Sequence, residues 1–309
     1  MTGVTSRPAL VFVWIHVLIL AAYPQRLPCD KSAVVNARDK QGRFVLSLQA
    51  SDFRAKVHRA VVPVSSVIAR RGPPRVVILL DKSGSMNGEI TANALRFVSE
   101  HVIESSPAQA QFALIVFATK VLESTDFGHS RADIVHAIDR ATRSAAQGPT
   151  ALRDALLKAS DMLGTSQLGD AVLVLSDGID EGSKTSPGTL EQAYLTKGTR
   201  AFLLEIRDQY RGTPEEVRAE EESEALVVRT GGMARTIPRP DATRIEYATR
   251  QIEDALSNYY IVEIGPVEAA EKPVSLELEL VDSSGRRRKD VDLSYPHKIV
   301  PCSSPNARP

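Results

Sequence analysis

Oxygen-bearing side chains follow a short apolar run in the first third of the chain. Residues 76–80, VVILL, are aliphatic and lead directly to Asp81, Ser83 and Ser85. An uninterrupted aliphatic run is typical of a strand that is buried on both faces of a parallel sheet. Ligands of open α/β sheets bind beyond the carboxyl ends of such strands. One carboxylate and two hydroxyls at alternate loop positions are hard oxygen ligands, which suit Mg²⁺, Mn²⁺ or Ca²⁺ rather than zinc or copper.

The same residues have a simpler interpretation, in which Asp and Ser form a polar turn that caps the next helix. Two later stretches favour the metal site. Thr150 follows a Gly-Pro turn at the start of a segment with helical apolar spacing. Residues 171–175, AVLVL, lead into Ser176 and Asp177, which repeats the design of the first motif. Three loops at strand ends or helix starts therefore carry candidate ligands.

In this order, the motifs resemble the metal-ion-dependent adhesion site of the von Willebrand factor A domain. The family pattern is D-x-S-x-S, then a threonine some tens of residues later, then an aspartate that closes a later strand. The resemblance implies a metal site formed by Asp81, Ser83, Ser85, Thr150 and Asp177. It also implies that the hydroxyls coordinate the metal directly or nearly so, that the aspartates act largely through bound water, and that a sixth position stays open for an acidic group of a partner. Mg²⁺ fits this role, because it prefers octahedral oxygen ligands and keeps several waters.

Two charged residues beside these motifs have more than one interpretation. Lys82 occupies the variable position of D-x-S-x-S. We expect its side chain to point to solvent; the alternative is a cation that weakens metal affinity or attracts an acidic ligand. Asp180 follows Asp177 by three residues. It either supports a metal ligand from behind or, more simply, caps the following turn.

Length, charge and periodicity limit the fold and the class of protein. The 309 residues have room for one large α/β domain and a smaller one. The formal net charge is zero, so no overall field draws the protein to nucleic acid or to an anionic membrane. Strand and helix patterns alternate over residues 75–257, which predicts a doubly wound, mainly parallel, Rossmann-like sheet. Within it, the acidic run at residues 220–224, EEESE, predicts a solvated helix face.

The segments on either side of this α/β region are β-rich. Residues 33–39 and 44–48 predict a hairpin within the segment 29–74. Residues 258–300 also have strand patterns, and residues 301–309 form a tail. We expect the two flanking segments to pack together in one small β-sandwich-like domain. Residues 39–53 read DKQGRFVLSLQASDF. This stretch resembles the segment before the domain in a family of exported bacterial proteins, described in acidobacteria and called von Willebrand factor A-related. In that family a small β segment precedes the domain.

The two ends of the chain bear on its location. Residues 1–28 are typical of an export signal, since Arg7 precedes a stretch that is apolar except for His16. The apolar stretch of about fifteen residues suits a signal peptide and falls short of the roughly twenty that a membrane span needs. We therefore expect a periplasmic, cell-surface or secreted protein; the alternative is an uncleaved N-terminal anchor, which is the one route to membrane contact. In an exported protein, Cys29 and Cys302 can form a disulfide that ties the terminal segments together. Two unpaired thiols are the equal alternative.

These patterns together predict an exported, metal-dependent protein-binding module of the adhesion type, whose partner presents an Asp or Glu side chain to the cation. We also expect the helix at residues 242–257 to shift on ligand binding, as it does in better-known relatives of the resembled family. Two alternatives stay open: an envelope scaffold that works without metal through its β domain, and a metal-assisted hydrolase. Catalysis is not expected, because the chain contains neither a G-x-x-x-x-G-K-[ST] phosphate loop nor a G-x-S-x-G nucleophile elbow.

Overall fold

The computed structural model describes residues 29–146, 148–207, 213–268, 270 and 272–300, except for the side chain of Glu215. The predicted export signal, Cys302 and the tail lie outside these residues. In chain order the strands are β1 (Cys29–Asp39), β2 (Phe53–Val57), β3 (Ala60–Val62), β4 (Val64–Arg71), β5 (Arg75–Asp81), β6 (Gln111–Phe117), β7 (Val121–Thr125), β8 (Ala171–Ser176), β9 (Arg200–Arg207), β10 (Met233–Pro238), β11 (Asn258–Val267), β12 (Val274–Leu280), β13 (Val291–Ser294) and β14 (Lys298–Ile299). The helices are α1 (Glu89–Ser105), α2 (Arg131–Arg143), α3 (Leu152–Leu163), α4 (Pro187–Lys197), α5 (Pro214–Arg229) and α6 (Ala242–Ser257).

The central sheet has six strands in the order β10-β9-β8-β5-β6-β7. Neighbouring strands are parallel except β7, which runs antiparallel to β6 at the edge. Successive side chains of a strand point to opposite faces, so Ile78 and Leu80 of β5 pack with α1, α2 and α6, whereas Val77 and Leu79 pack with α3, α4 and α5. Helices on both faces explain the uninterrupted aliphatic strands. The predicted doubly wound, mainly parallel α/β fold is confirmed.

The order of these strands creates a crevice at the carboxyl end of β5. The chain passes from β5 to β6 on one side, and β8 pairs with β5 on the other side. The loops that follow β5 and β8 therefore lie next to each other and lead to helices on opposite faces of the sheet. A reversal of this kind is the usual ligand-binding position in doubly wound sheets.

The flanking segments form two four-stranded sheets, in the orders β13-β1-β11-β4 and β14-β12-β2-β3. Their shared apolar core includes Val35, Ala55, Val262 and Leu278, so strands from both ends of the chain pack together. The predicted β-sandwich-like domain built from both terminal segments is confirmed. Among the described residues, no helix combines the length and apolar character that a membrane crossing requires.

The hairpin predicted at residues 33–48 was wrong in its second half. β1 is present, but Phe44 forms only an isolated bridge with Arg38, and residues 45–49 are not a strand. Ser47 has a φ of +62°, which interrupts an extended backbone. Instead the segment packs on Tyr260, whose ring stacks on Phe44 at a centroid distance of 5.1 Å and whose hydroxyl donates to the carbonyl of Val45. The Val45 N–H still donates to the carbonyl of Ala37 on β1 at 2.9 Å, but beyond this bond contacts with Tyr260 replace the expected ladder.

Helix α6 connects the two parts of the fold, because it runs directly into β11. The carbonyls of its last turn accept hydrogen bonds from buried side chains. Arg200 donates to the carbonyls of Ala255 (3.1 Å) and Leu256 (3.2 Å), and Asn36 of β1 donates to Ala255 (3.3 Å). These bonds satisfy groups that a helix end leaves without an internal partner. They hold the end of α6 against both the central sheet and the sandwich.

Candidate metal site

Asp81 is the last residue of β5, and its side chain is completely buried. Its Oδ1 accepts a hydrogen bond from the backbone N–H of Ser83 at 2.8 Å, and its Oδ2 accepts one from the Ser176 hydroxyl at 2.5 Å. Burial raises the pKa of Asp81 to about 6; the hydrogen bonds oppose this rise, and nearby Asp177 adds to it. Two acidic groups close together in a buried setting are stabilised in their ionised form by a bound cation.

Ser83 and Ser85 lie on one turn directly after Asp81. Their hydroxyl oxygens are 3.2 Å apart, with Ser83 buried and Ser85 exposed. The backbone N–H of Gly84, between them, donates to the carbonyl of Gly148 at 2.8 Å. This bond joins the serine turn to the loop that carries Thr150.

Thr150 is buried and lies two residues before α3. Its carbonyl accepts hydrogen bonds from the N–H groups of Glu181 (3.0 Å) and Gly182 (2.9 Å), which follow Asp177 in the third loop. Gly148 has a φ of +61°, and a Cβ at this position would come within 2.8 Å of the Thr119 hydroxyl. The tight approach of these loops therefore requires glycine at position 148.

Asp177 directly follows β8 and is buried. Its Oδ1 accepts a hydrogen bond from the N–H of Ile179 at 3.1 Å. Its backbone carbonyl accepts two further bonds from Arg207, from Nε at 3.1 Å and from Nη2 at 2.8 Å. The loop is thus held from behind by a strand end that the sequence analysis did not single out.

One cleft at this edge of the sheet brings together three of the five predicted ligands, Ser85, Thr150 and Asp177. Its lining consists of Gly84, Ser85, Gly148, Pro149, Thr150, Asp177, Ile179, Glu181 and Glu216. Asp81 and Ser83 lie behind Ser85, joined to the turn by the hydrogen bonds described above. The side-chain donors of this lining are all oxygens, of the hard type that Mg²⁺, Mn²⁺ and Ca²⁺ prefer. The residues present therefore fit a divalent cation.

The structure also bears on the predictions for the two charged residues beside the motifs, Lys82 and Asp180. The prediction that Lys82 points to solvent was wrong: it is 3% exposed, and burial lowers its pKa while Asp81 raises it. The loop packs inward there because the Lys82 N–H donates to the carbonyl of Phe117 on β6 at 2.7 Å. Asp180 accepts bonds from the N–H groups of Leu152 and Ser183, both at 3.3 Å. It caps the start of α3 and the following turn, as in the simpler of its two interpretations.

Comparison with protein families matches residues 76–179 to the von Willebrand factor type A domain. This part of the chain is a von Willebrand factor type A domain. The match begins inside β5 and ends two residues after Asp177, so it spans all the predicted ligands from Asp81 onward. Domains of this family typically serve in protein interaction and adhesion.

Several solved structures are similar to the chain at low identity. A von Willebrand factor type A protein from Catenulispora acidiphila is 15% identical with a TM-score of 0.45, over 92% of this chain and 76% of that one. The conserved hypothetical protein BatB from Bacteroides thetaiotaomicron is 16% identical with a TM-score of 0.41, over 59% and 98%. The open conformation of the pilus adhesin SpaC from Lactobacillus rhamnosus GG is 11% identical with a TM-score of 0.47, over 79% and 47%. No curated protein matches the chain.

Behind the Asp177 loop of the von Willebrand factor A domain lies a polar cluster that the sequence analysis missed. Glu205 and Arg207 lie two residues apart at the end of β9, so their side chains share one face of the strand. Glu205 is completely buried. The prediction of a solvated face at residues 220–224 was wrong in part, because Glu220 is 2% exposed and its carboxylate pairs with Arg207 at 2.9 Å. A lone acid within the aliphatic strand RAFLLEIR was the available signal for Glu205. No local signal identifies Glu220, since its burial depends on how α5 packs against β9.

The cysteine prediction is only partly within the described residues. Cys29 begins β1 and is disulfide-bonded. The chain has one other cysteine, Cys302, which lies outside the described residues. The Cys29–Cys302 pairing stays a prediction.

Proposed function

We propose that the protein is an exported binding module whose von Willebrand factor A domain holds a divalent cation and uses it to bind a carboxylate of a partner protein. The observation that carries this proposal is the cleft lined by Ser85, Thr150 and Asp177, with Asp81 and Ser83 directly behind it. Three separate loops converge there, joined by backbone hydrogen bonds, and each contributes oxygen donors. We assign the domain to residues 75–257 and the flanking segments 29–74 and 258–300 to the sandwich.

Each predicted ligand has a distinct part in the proposed site. The hydroxyls of Ser83, Ser85 and Thr150 would hold the cation, preferably Mg²⁺, with Mn²⁺ or Ca²⁺ as alternatives. Asp81 already accepts two hydrogen bonds, so its carboxylate is fixed in place and would act through water, as would Asp177. When bound, the cation would supply an electrophilic centre with a coordination position for an acidic oxygen of the partner.

Charge in the cleft makes the proposed partner binding depend on the cation. Glu181 and Glu216 line the cleft together with Asp177. Without a cation, these carboxylates repel an Asp or Glu side chain of a partner. A divalent cation reverses the local field at the point of contact, so the same partner group is attracted.

The function that we propose is non-catalytic. The hydroxyls of Ser83 and Ser85 face each other at 3.2 Å, and a serine nucleophile requires an adjacent base. Export is proposed from residues 1–28 alone, and the sequence gives no reason to expect nucleic acid as a partner. The alternative of a metal-free envelope scaffold remains the second candidate, since the sandwich forms a separate apolar core.

Calorimetric titration of the purified protein with MgCl2 and MnCl2, to millimolar concentration, tests this proposal. We expect saturable one-to-one binding that Ser85→Ala abolishes or weakens at least tenfold; Ser85 is exposed, so this change should leave the fold intact. Ser65→Ala, at an exposed position of the sandwich strand β4, is the matched control and should bind as the unaltered protein does. Absence of saturable binding would favour the scaffold. Equal binding by both variants would place the cation elsewhere.

A further inference from the structure

Three carboxyl groups meet beneath the proposed metal site. Oxygens of Glu205, Glu220 and Glu224 lie within 4.8 Å of one another. Glu205 Oε2 accepts a hydrogen bond from the Thr236 hydroxyl on β10 at 2.7 Å. Its Oε1 is buried and accepts no hydrogen bond from any side chain or backbone group in the described part of the chain. A buried carboxylate oxygen without a donor is costly when the group is ionised.

This cluster is directly linked to the loop that carries Asp177. Arg207 pairs with Glu220 through Nη1 at 2.9 Å, and it donates two hydrogen bonds, from Nε and Nη2, to the Asp177 carbonyl. Gly178 packs on Glu205 so closely that a Cβ there would come within 2.6 Å of Glu205 Oε1. On the other side, Ser176 lies opposite Glu205 in the parallel register and donates to Asp81. The carboxyl of Glu205 thus lies against the backbone that positions the site.

Charged groups approach Glu205 from two elements. It faces the cation Arg207 on its own strand and the acids Glu220 and Glu224 on α5, while the Thr236 hydroxyl on β10 and the Ser176–Gly178 backbone after β8 lie on its other sides. Burial, reinforced by Glu220 and Glu224, raises the pKa of Glu205 to about 7, and the hydrogen bond from Thr236 and the charge of Arg207 only partly oppose this. The carboxyl of Glu205 therefore gains and loses its proton near neutral pH.

We propose that Glu205 is a proton reservoir for the metal site, which releases its proton to solvent when a divalent cation binds beside Asp177. This inference rests on the function proposed above. A positive charge placed near a protonated carboxyl favours its ionised form. By linkage, ionised Glu205 strengthens cation binding by the same factor by which the cation favours ionisation. Glu205 would thus make cation affinity rise with pH without being a ligand.

Proton release can be measured by titrating MnCl2 at pH 7 in PIPES and in Tris, because the two buffers differ in ionisation enthalpy. We expect release of a fraction of a proton per cation from Glu205, at most about 0.5, because its carboxyl titrates near neutral pH. Glu205→Gln should retain one-to-one binding but release clearly fewer protons than the unaltered protein. Its affinity at pH 8 should fall severalfold, since a negative charge is removed.

Two further variants keep the test decisive. Glu224→Gln removes a charge that raises the pKa of Glu205, so it should reduce proton release at pH 7, even if Glu205→Gln fails to fold. Glu221→Gln, at an exposed position of the same helix, is the matched control and should release protons as the unaltered protein does. Cation binding with equal release from all variants would overturn the reservoir and leave the metal site standing. No cation binding at all would overturn both.

Discussion

The buried carboxyl of Glu205 leads to a stability prediction that needs no metal. In the Glu205→Gln variant, an amide of nearly the same shape replaces a carboxyl whose pKa is raised from 4.5 to about 7 in the folded state. A raised pKa means that the folded protein holds a proton that the unfolded chain has already released. The contribution of this group to stability is therefore complete below pH 4.5 and is lost as the pH rises through 7.

The magnitude follows from the two pKa values. Each pKa unit corresponds to about 1.4 kcal/mol, so ionised Glu205 costs the folded protein about 3 kcal/mol at pH 8. Glutamine cannot ionise, and it retains an oxygen that can accept the hydrogen bond from Thr236. We therefore compare the free energy of unfolding of Glu205→Gln with that of the unaltered protein at each pH. The difference, variant minus unaltered, should be about 3 kcal/mol larger at pH 8 than at pH 4.5, and most of this change should occur above pH 5.

Urea denaturation followed by circular dichroism, in EDTA and at pH values from 5 to 8, measures this difference. EDTA removes divalent cations, so the difference between the two proteins reports the protonation of the cluster around Glu205 without metal binding. The exposed Glu221→Gln should show no such dependence on pH. A stability difference between Glu205→Gln and the unaltered protein that is the same at pH 5 and pH 8 would show that Glu205 titrates normally, and the argument from its burial would be refuted.

Three further predictions concern the metal loop and helix α6. Gly178→Ala should destabilise the protein by about 1–3 kcal/mol and weaken Mn²⁺ binding, because φ is +82° and the methyl group would meet Glu205. Urea denaturation measures the stability and calorimetry measures the binding. An unchanged stability would contradict the geometry. Arg200→Met should lower the free energy of unfolding, measured with urea, by about 3–5 kcal/mol, because the buried carbonyl of Leu256 loses the guanidinium donor and that of Ala255 keeps the bond from Asn36. A loss below 1 kcal/mol would indicate that water replaces the guanidinium. The shift of α6 on ligand binding stays a prediction. If the helix shifts, hydrogen exchange of residues 242–257 should change when Mg²⁺ is added, and it should change least in the last turn. Unchanged exchange would argue against the shift.

Some sequence predictions depended on local patterns and were reliable for that reason. The aliphatic runs of β5 and β8 predicted buried parallel strands, and the alternation of strands and helices predicted the doubly wound sheet. Since parallel strands end at a common edge, Asp81 and Asp177 had to lie near each other once the fold was known. The structure brings Thr150 to the same cleft through the backbone bonds of its loop.

Other features depended on which elements approach each other, and local patterns misjudged them. Lys82 and Glu220 are charged residues in polar stretches, which predicts exposure, yet packing against β6 and β9 buries them. The segment after Phe44 has β-rich composition, but beyond one backbone bond from Val45 to Ala37 it packs on Tyr260. The burial of these two charged residues is decided by β6 and β9, which lie beside them only in the folded chain.

The sequence alone therefore determined the fold class and the sandwich built from both terminal segments, and it singled out oxygen-bearing residues that the structure places at one edge of the sheet. That these residues bind a cation stays a prediction. Periodicity and strand-end position are properties of neighbouring residues, so they can be recognised without coordinates. Only the tertiary structure decided that Arg207 holds the Asp177 loop and that Glu205 lies buried against Gly178. The pKa of a carboxyl depends on the desolvation and the charges that surrounding elements impose on it, and those surroundings exist only after α5, β8, β9 and β10 have packed together.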